Sequence, residues 1–578
     1  MLKKLFSHVK GYGKYMIYAP ILVIIEVICE LALPKLMAAI VDDGIGAGNT
    51  TYIFQVGAVM VALSIVCMVC GVLSAKFAAT GGQGFGANLR GAMFDHIQEF
   101  SFSDIDRFSS ASLITRMTND VNNLQMTVVM GLRIITRAPV QLVAALGLAI
   151  FISPKLALVL GVIIPIMMVA IFLIMKVCLK LFDLLQRKID ALNGTVQENL
   201  VAIRVVKAFV RAVHEKEKFR KSNDDLTNTA IKVAMRIVLI QPVMMLSLNA
   251  AVIGVLWNGG NMYMAGTLSV GDLASFLTYI MQILMSVMML AMSLLQLSRA
   301  QASARRIMEV IDADPAIQDG PRAAGSLPAP KGHVEFKNVS FKYQAGGSGD
   351  DVLTGIDLDI RPGQFVAVVG GTGTGKSSLV NLIPRFYDVT GGQVLVDGVD
   401  VRDYPLDELR SRIGMVLQNN VLFSGTIREN LLWGDPNATE AQMVQAAKDA
   451  QAYDFIMSLP DGFDTHMEQG GVNVSGGQKQ RLCIARAMLR KPAILILDDS
   501  TSAVDSATEA KIRQSFHDNL KDTTVIIIAQ RISSVRYADE IVVLDDGAVA
   551  AVGSHDQLMA DSAIYKEIYD SQQEGGLE

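Results

Sequence analysis

Cysteine is scarce in this sequence: five residues in 578, namely Cys29, Cys67, Cys70, Cys178 and Cys483. All but Cys483 sit in apolar runs, so they read as small core or lipid-facing residues and imply no disulfide framework. The Cys67-x-x-Cys70 pair lacks the flanking charge of a zinc or redox site. Charged residues are also few, at 19%, and the net charge of −5 is slight for this length. That balance argues against a nucleic-acid partner. Lysine and arginine are missing altogether from 42–52 and 258–271, and the connection at Pro154 carries only Lys155. No small-residue cleavage site follows the first apolar run. The basic start, MLKKLFSHVKGYGK, therefore reads as a short helix on the membrane surface rather than a signal peptide.

What the chain has in excess is apolarity, 51% of residues with a mean hydropathy of +0.37. It is uneven: long apolar runs fill the first three hundred or so positions and the remainder has ordinary soluble composition. Six segments reach the length of about 20 mostly apolar residues needed to cross a bilayer. They lie near 15–40, 53–77, 128–153, 155–180, 237–262 and 272–297. The basic residues concentrate in the N-terminal segment and in 78–127 and 181–236, which are therefore cytoplasmic. Six crossings return the chain to the cytoplasm. The two long cytoplasmic stretches read as helical extensions of the spans, with polar tips near Ser103–Phe108 and Arg211–Phe219.

Polar residues within spans are candidates for function. Glu26 and Glu30 share one helix face in the first span, where packing and cavity lining are equally open readings. Met281, Met285, Met288 and Met292 form a stripe on the sixth, either a surface for varied apolar ligands or a packing seam.

A Pro, Gly and Ala-rich linker, 312–332, separates a membrane domain (1–311) from a second domain (333–578) in which strand and helix signals alternate. The expected fold is thus an all-α membrane domain of six transmembrane helices followed by an α/β domain, which its phosphate loop makes a nucleotide-binding one. Its decisive motif follows the apolar strand 365–369: Gly370, Gly371, Thr372, Gly373, Thr374, Gly375, Lys376, Ser377 and Ser378. This is G-x-x-x-x-G-K-[ST] in its strand–loop–helix context, a cradle of backbone N–H groups for phosphates. Further on, Ser475, Gly476, Gly477 and Gln478 form a turn ahead of an apolar strand that ends in Asp498 and Asp499.

Phosphate loop, Ser-Gly-Gly-Gln turn and acid-tipped strand, in this order behind six spans, resemble the ATP-binding-cassette exporters, of the type I architecture, along essentially the whole chain. The resemblance implies ATP and Mg2+ as ligands. It gives Tyr343 the adenine-stacking role, Lys376 the outer phosphates, and Ser377, Gln418 and Asp498 the magnesium shell. The polar tips would be coupling helices that dock on the nucleotide domain, and Ser475–Gln478 would complete the ATP site of a partner across a dimer. Glu468 resembles the acid ahead of that turn which contacts the coupling helices.

At two positions the sequence departs from the family. Active members carry a glutamate after the magnesium-binding acid, and here the residue is Asp499; they carry a histidine where this chain has Gln530. Aspartate is one methylene shorter, and glutamine can neither shuttle a proton nor carry charge near pH 7. The double departure implies a catalytically degenerate site, hence one half of a heterodimeric exporter whose partner is a second, homologous half-transporter. Amphipathic small molecules are the expected substrates, with lipids or peptides next. An ATP-gated channel and a slow homodimeric transporter are the alternatives.

Overall fold

The computed structural model describes residues 2–322, 327–343, 351–499 and 503–574. Chain contacts divide it into two units, Met1–His96 with Ile114–Asp312, and Ile97–Leu113 with Ala313–Glu578.

The first unit is helical. Among the described residues, six helical segments are long and apolar enough to cross a membrane: Gly13–Ile45, Thr50–Gln98, Ser110–Ile152, Pro154–Val201, Ala212–Met264 and Val270–Ser293. Several run far beyond a bilayer's thickness. At 1.5 Å per residue, the unbroken 48-residue helix Pro154–Val201 spans about 70 Å, so the predicted helical extensions are present. The first, third, fourth, fifth and sixth spans share a core built from Val23, Val27, Leu31, Ala145, Leu156, Ala251, Phe276 and their neighbours. Tyr279 anchors the sixth span to the first, its hydroxyl donating to Leu31 O at 2.8 Å. On the opposite side of that sixth span Met281, Met285 and Met292 are exposed and Met288 is half-buried, so the methionine stripe points away from its own core.

The two cytoplasmic tips differ from each other. The first forms the helix Phe102–Phe108, started by a capping box in which Ser101 Oγ accepts from Asp104 N and Asp104 Oδ2 accepts from Ser101 N. The second lies upstream of the expected 211–219: the long helix breaks at Ala202 (φ −91, ψ 14), and Ile203–Ala208 forms the short helix instead. Segment 212–219 belongs to the returning helix Ala212–Val238. The apolar spacing of Leu200, Ile203 and Val206 continues through the break, which is why periodicity alone ran past it. Phe209 and Val210 at this tip are exposed, 73% and 84%.

Among the described residues the second unit holds a four-stranded sheet, a six-stranded sheet and the short two-stranded pair Gly425–Thr426 with His466–Met467. The antiparallel sheet takes its strands in the spatial order Leu353–Ile360, Val334–Phe341, Gly391–Val396, Val399–Asp400. The larger sheet runs Ala548–Gly553, Glu540–Asp545, Phe365–Gly370, Thr524–Ile528, Ile494–Asp498, Ile413–Val416. All its neighbours are parallel except the antiparallel edge strand Ala548–Gly553. Parallel strands buried on both faces read as continuous apolar runs, as FVAVV, ILIL and TVIII do here. Strand Phe365–Gly370 lies between Glu540–Asp545 and Thr524–Ile528, and the strand tipped by Asp498 lies one place further along. Their carboxyl ends open on one edge of the sheet, where an open α/β sheet binds its ligands.

The first cytoplasmic helix packs within this unit. The Phe102 ring lies tilted 4.5 Å from that of Phe386, and Asp106 Oδ2 accepts from the Tyr387 hydroxyl at 2.8 Å. Asp104 Oδ2 also accepts from the linker amide of Ala316 at 3.1 Å.

Candidate functional site

The phosphate loop is shaped by its glycines. Gly370 has φ +154 and an added Cβ would meet Leu544 O at 2.2 Å; Gly375 has φ +89 and would meet Leu353 Cδ2 at 2.7 Å. Only glycine adopts those angles in that space. Gly375 caps the helix Lys376–Leu382, so the amides of Lys376, Ser377 and Ser378 lie in its unpaired first turn. Thr374 Oγ1 donates to Gly371 O at 3.0 Å, tightening the loop. Around Gly373 a Cβ would touch nothing within 4 Å, so this part of the cradle is open. Thr372 sits at its exposed rim.

Lys376 curls back over the loop, its ammonium donating to Gly370 O at 3.0 Å and to Gly371 O. Burial lowers its proton affinity, while Asp498 and Asp499 act in the opposite direction. Ser377 Oγ donates to Asp498 Oδ1 at 3.0 Å, which joins the loop to the acid-tipped strand two places along the sheet. Asp498 is buried, and that burial raises its carboxyl above the usual range against the pull of Ser377 and Lys376. Ser377 Oγ and the Asp498 carboxylate are hard oxygen donors side by side, a pairing that suits Mg2+.

Tyr343 closes another side. Its hydroxyl pairs with Ser378 Oγ at 2.9 Å, and its ring stands edge-on to Phe341 and Tyr387 at 4.8 and 5.1 Å. Tyr343 is 38% exposed.

The remaining end of the site is where the two departures meet. Asp499 is a non-glycine residue at φ +47, the left-handed region that aspartate tolerates better than most. Gln530 Nε2 donates to Asp499 Oδ2 at 2.8 Å across 31 residues of sequence. Gln418 also hydrogen-bonds to the Asp499 side chain. Burial raises the Asp499 carboxyl, opposed by Gln418, Lys376, Arg531 and Gln530. Gln418, Asp499 and Gln530 are thus gathered into one hydrogen-bonded cluster. The loop bearing Gln530 is clamped in turn by Gln572, which donates to Gln530 O at 2.7 Å and accepts from Ile532 N at 2.9 Å.

The Ser475–Gln478 turn is built differently. Ser475 caps the helix Gly476–Leu489 through a reciprocal box with Gln478, and Ser475 and Gly476 face solvent. A Cβ on Gly477 would collide with Ala503 O at 2.7 Å. No hydrogen bond among the described residues ties this turn to the phosphate loop of the same chain. Glu468 is exposed nearby in sequence.

Three neighbours of the site escaped sequence reasoning: Arg531 beside Asp499, and Tyr387 and Asp106, which connect the Tyr343 ring to the first cytoplasmic helix. The aromatic pair Phe386-Tyr387 just beyond the phosphate-loop helix was the available signal.

Comparison with known proteins extends these observations to the whole chain. Residues 16–287 match the ABC transporter transmembrane region and residues 353–502 match the ABC transporter domain. An uncharacterized ABC transporter ATP-binding protein of Mycobacterium tuberculosis is 40% identical over 99% of this chain and 98% of its own. A provisional multidrug export ATP-binding/permease protein of Bacillus subtilis is 34% identical over 98% and 99%. An ATP-dependent lipid A-core flippase of Syntrophus aciditrophicus is 32% identical over 99% and 94%. Among solved structures, a bacterial Atm1-family ABC exporter with ATP bound superposes with a TM-score of 0.81 at 26% identity, covering 97% of this chain and 98% of that one.

Proposed function

This chain belongs to the ATP-binding-cassette exporters, multi-pass cell-membrane proteins that couple ATP hydrolysis to transport, and from that premise we propose that it is the degenerate-site half of a heterodimeric exporter. Its own phosphate loop holds ATP, with Tyr343 on the base and Lys376 on the outer phosphates. Ser377, Asp498 and Gln418 hold Mg2+, which when bound neutralises charge on the outer phosphates. The turn Ser475–Gln478 completes the partner's site. The exposure of Ser475 and Gly476 at the start of their helix supports an approach to phosphate from outside the chain.

The observation that carries this reading is the Asp499–Gln530 hydrogen bond. A general base must reach the water it activates. Asp499 is about 1 Å short of where a glutamate would reach, and a misplacement of that size costs on the order of a hundredfold. Its Oδ2 is already occupied by an amide that can neither take nor return a proton. ATP held here stabilises the closed dimer and turns over slowly, while the partner's site supplies the transport stroke. The exported molecule is an amphipathic small molecule, which is what the multidrug relative's description supports. The flippase relative supports membrane lipid as the second reading.

The test is purification of the tagged chain at native expression. A second, homologous half-transporter should co-purify, and the isolated chain should hydrolyse ATP far more slowly than the pair. Full turnover by this chain as a homodimer would refute the assignment.

A further inference from the structure

The loop that carries Gln530 leaves the carboxyl end of the strand Thr524–Ile528, which runs parallel beside the strand ending in the phosphate loop. Gln530 has two amide N–H donors and gives one to Asp499. Asp499 lies within reach of the Lys376 charge, so the Gln530 amide stands at the outer-phosphate end of the site. Gln530 is itself exposed, and an exposed loop places a side chain only if the backbone beneath it is held. Here it is held from the far end of the chain. Gln572 donates to Gln530 O at 2.7 Å and accepts from Ile532 N at 2.9 Å. One side-chain amide thus bridges the backbone on both sides of Arg531. Both ends of the bridge are seated in one core: Ile532 is 1% exposed, and Ile568 and Tyr569 pack against the same cluster. The helix Ala563–Glu574 that brings Gln572 also buries Tyr565, whose hydroxyl pairs with His555 Nδ1 at 2.8 Å. Gln572 stands two turns beyond Tyr565 on the same helix face.

We propose that Gln572 is a positioning residue of the nucleotide site: it fixes the Gln530 backbone so that the Gln530 amide meets the γ-phosphate, and thereby lets this site tell ATP from ADP. The inference rests on the nucleotide reading of this site and deepens it, because a site that turns over slowly acts through which nucleotide it holds. The second N–H of Gln530 can donate to phosphate without leaving Asp499. A donor already held in place loses less freedom when phosphate arrives than one on a loose loop. ADP has no γ-phosphate and gains nothing from that donor. A Gln572 that merely pinned the C-terminal helix would affect both nucleotides alike.

The test measures nucleotide affinity at this chain within the complex it forms with its co-purifying partner. ATP and ADP compete in the cold against a photoactivatable ATP analogue, and labelling is resolved by chain. Gln572→Met keeps the side-chain length and loses both hydrogen bonds; it should weaken ATP by about fivefold and leave ADP unchanged. Gln572→Glu still accepts from Ile532 N but no longer donates to Gln530 O, so it should shift ATP in the same direction and serves if the first variant folds poorly. In a Gln530→Ala chain, Gln572→Met should have no further effect, as expected of a residue that acts through another. Unchanged ATP affinity, equal weakening of ATP and ADP, or an undiminished effect in the Gln530→Ala chain would overturn the proposal. No saturable labelling of the unaltered chain would refute the nucleotide reading, and the proposal with it. Selective weakening of ATP in a chain that turns over at full rate as a homodimer would instead count against the degenerate-site reading alone.

Discussion

The two ends of the nucleotide site share one sheet edge but are furnished unequally. At the phosphate end every position agrees with ATP binding. The positive-φ glycines shape the loop, Lys376 lies over it, and Ser377 and Asp498 stand 3.0 Å apart. At the water end the same fold presents a shortened acid, Asp499, tied up by Gln530. Binding and hydrolysis draw on separate groups, so a chain can retain the first while losing the second. In the proposed heterodimer, a site of this kind would contribute occupancy, and its conformational consequence would pass to the partner.

The largest expected effect comes from breaking the intact end. Lys376→Ala removes the ammonium over the outer phosphates and should weaken nucleotide binding at this site by about a hundredfold. Part of the transport should survive, since turnover is assigned to the partner. Photolabelling with an ATP analogue, resolved by chain, would check the first statement and vesicle transport the second. Loss of all transport and all turnover would erase the division between sites.

A smaller effect should follow from repairing the defective end. Asp499→Glu together with Gln530→His restores reach and proton exchange, and should raise ATP turnover at this site by about tenfold. Steady-state phosphate release from the assembled pair, with the partner's catalytic acid neutralised to silence its site, isolates the gain. An unchanged rate would place the limit elsewhere, in the partner's own contribution to this site.

Much of this was readable beforehand, for identifiable physical reasons. Six spans announce themselves because a bilayer demands long uninterrupted apolar helices, and the observed segments overlap all six expected ones. The phosphate loop was legible because only glycine tolerates backbone positions such as Gly370 and Gly375. What sequence could not supply was pairing across long separations. Arg137 lies 111 residues from Glu26, and Tyr387 lies 281 residues from Asp106; no local pattern marks either as a partner. Periodicity also failed at the second cytoplasmic tip, where the apolar spacing continues through the break at Ala202. The Asp499–Gln530 departure could be seen in sequence, but the hydrogen bond between the two residues could not.

The central claim is that this chain supplies its turn, and not its acid, to hydrolysis. Ser475→Arg places a bulky cation at the exposed helix N-terminus and blocks its approach to the partner's γ-phosphate, which must be clamped and desolvated from both sides. Asp499→Asn alters an acid that is already short and already hydrogen-bonded. Phosphate release from the purified two-chain complex at saturating Mg-ATP, measured for both variants side by side, compares them directly. The account predicts near-complete loss of turnover for Ser475→Arg and little change for Asp499→Asn; the reverse order would show that this chain carries the working catalytic acid.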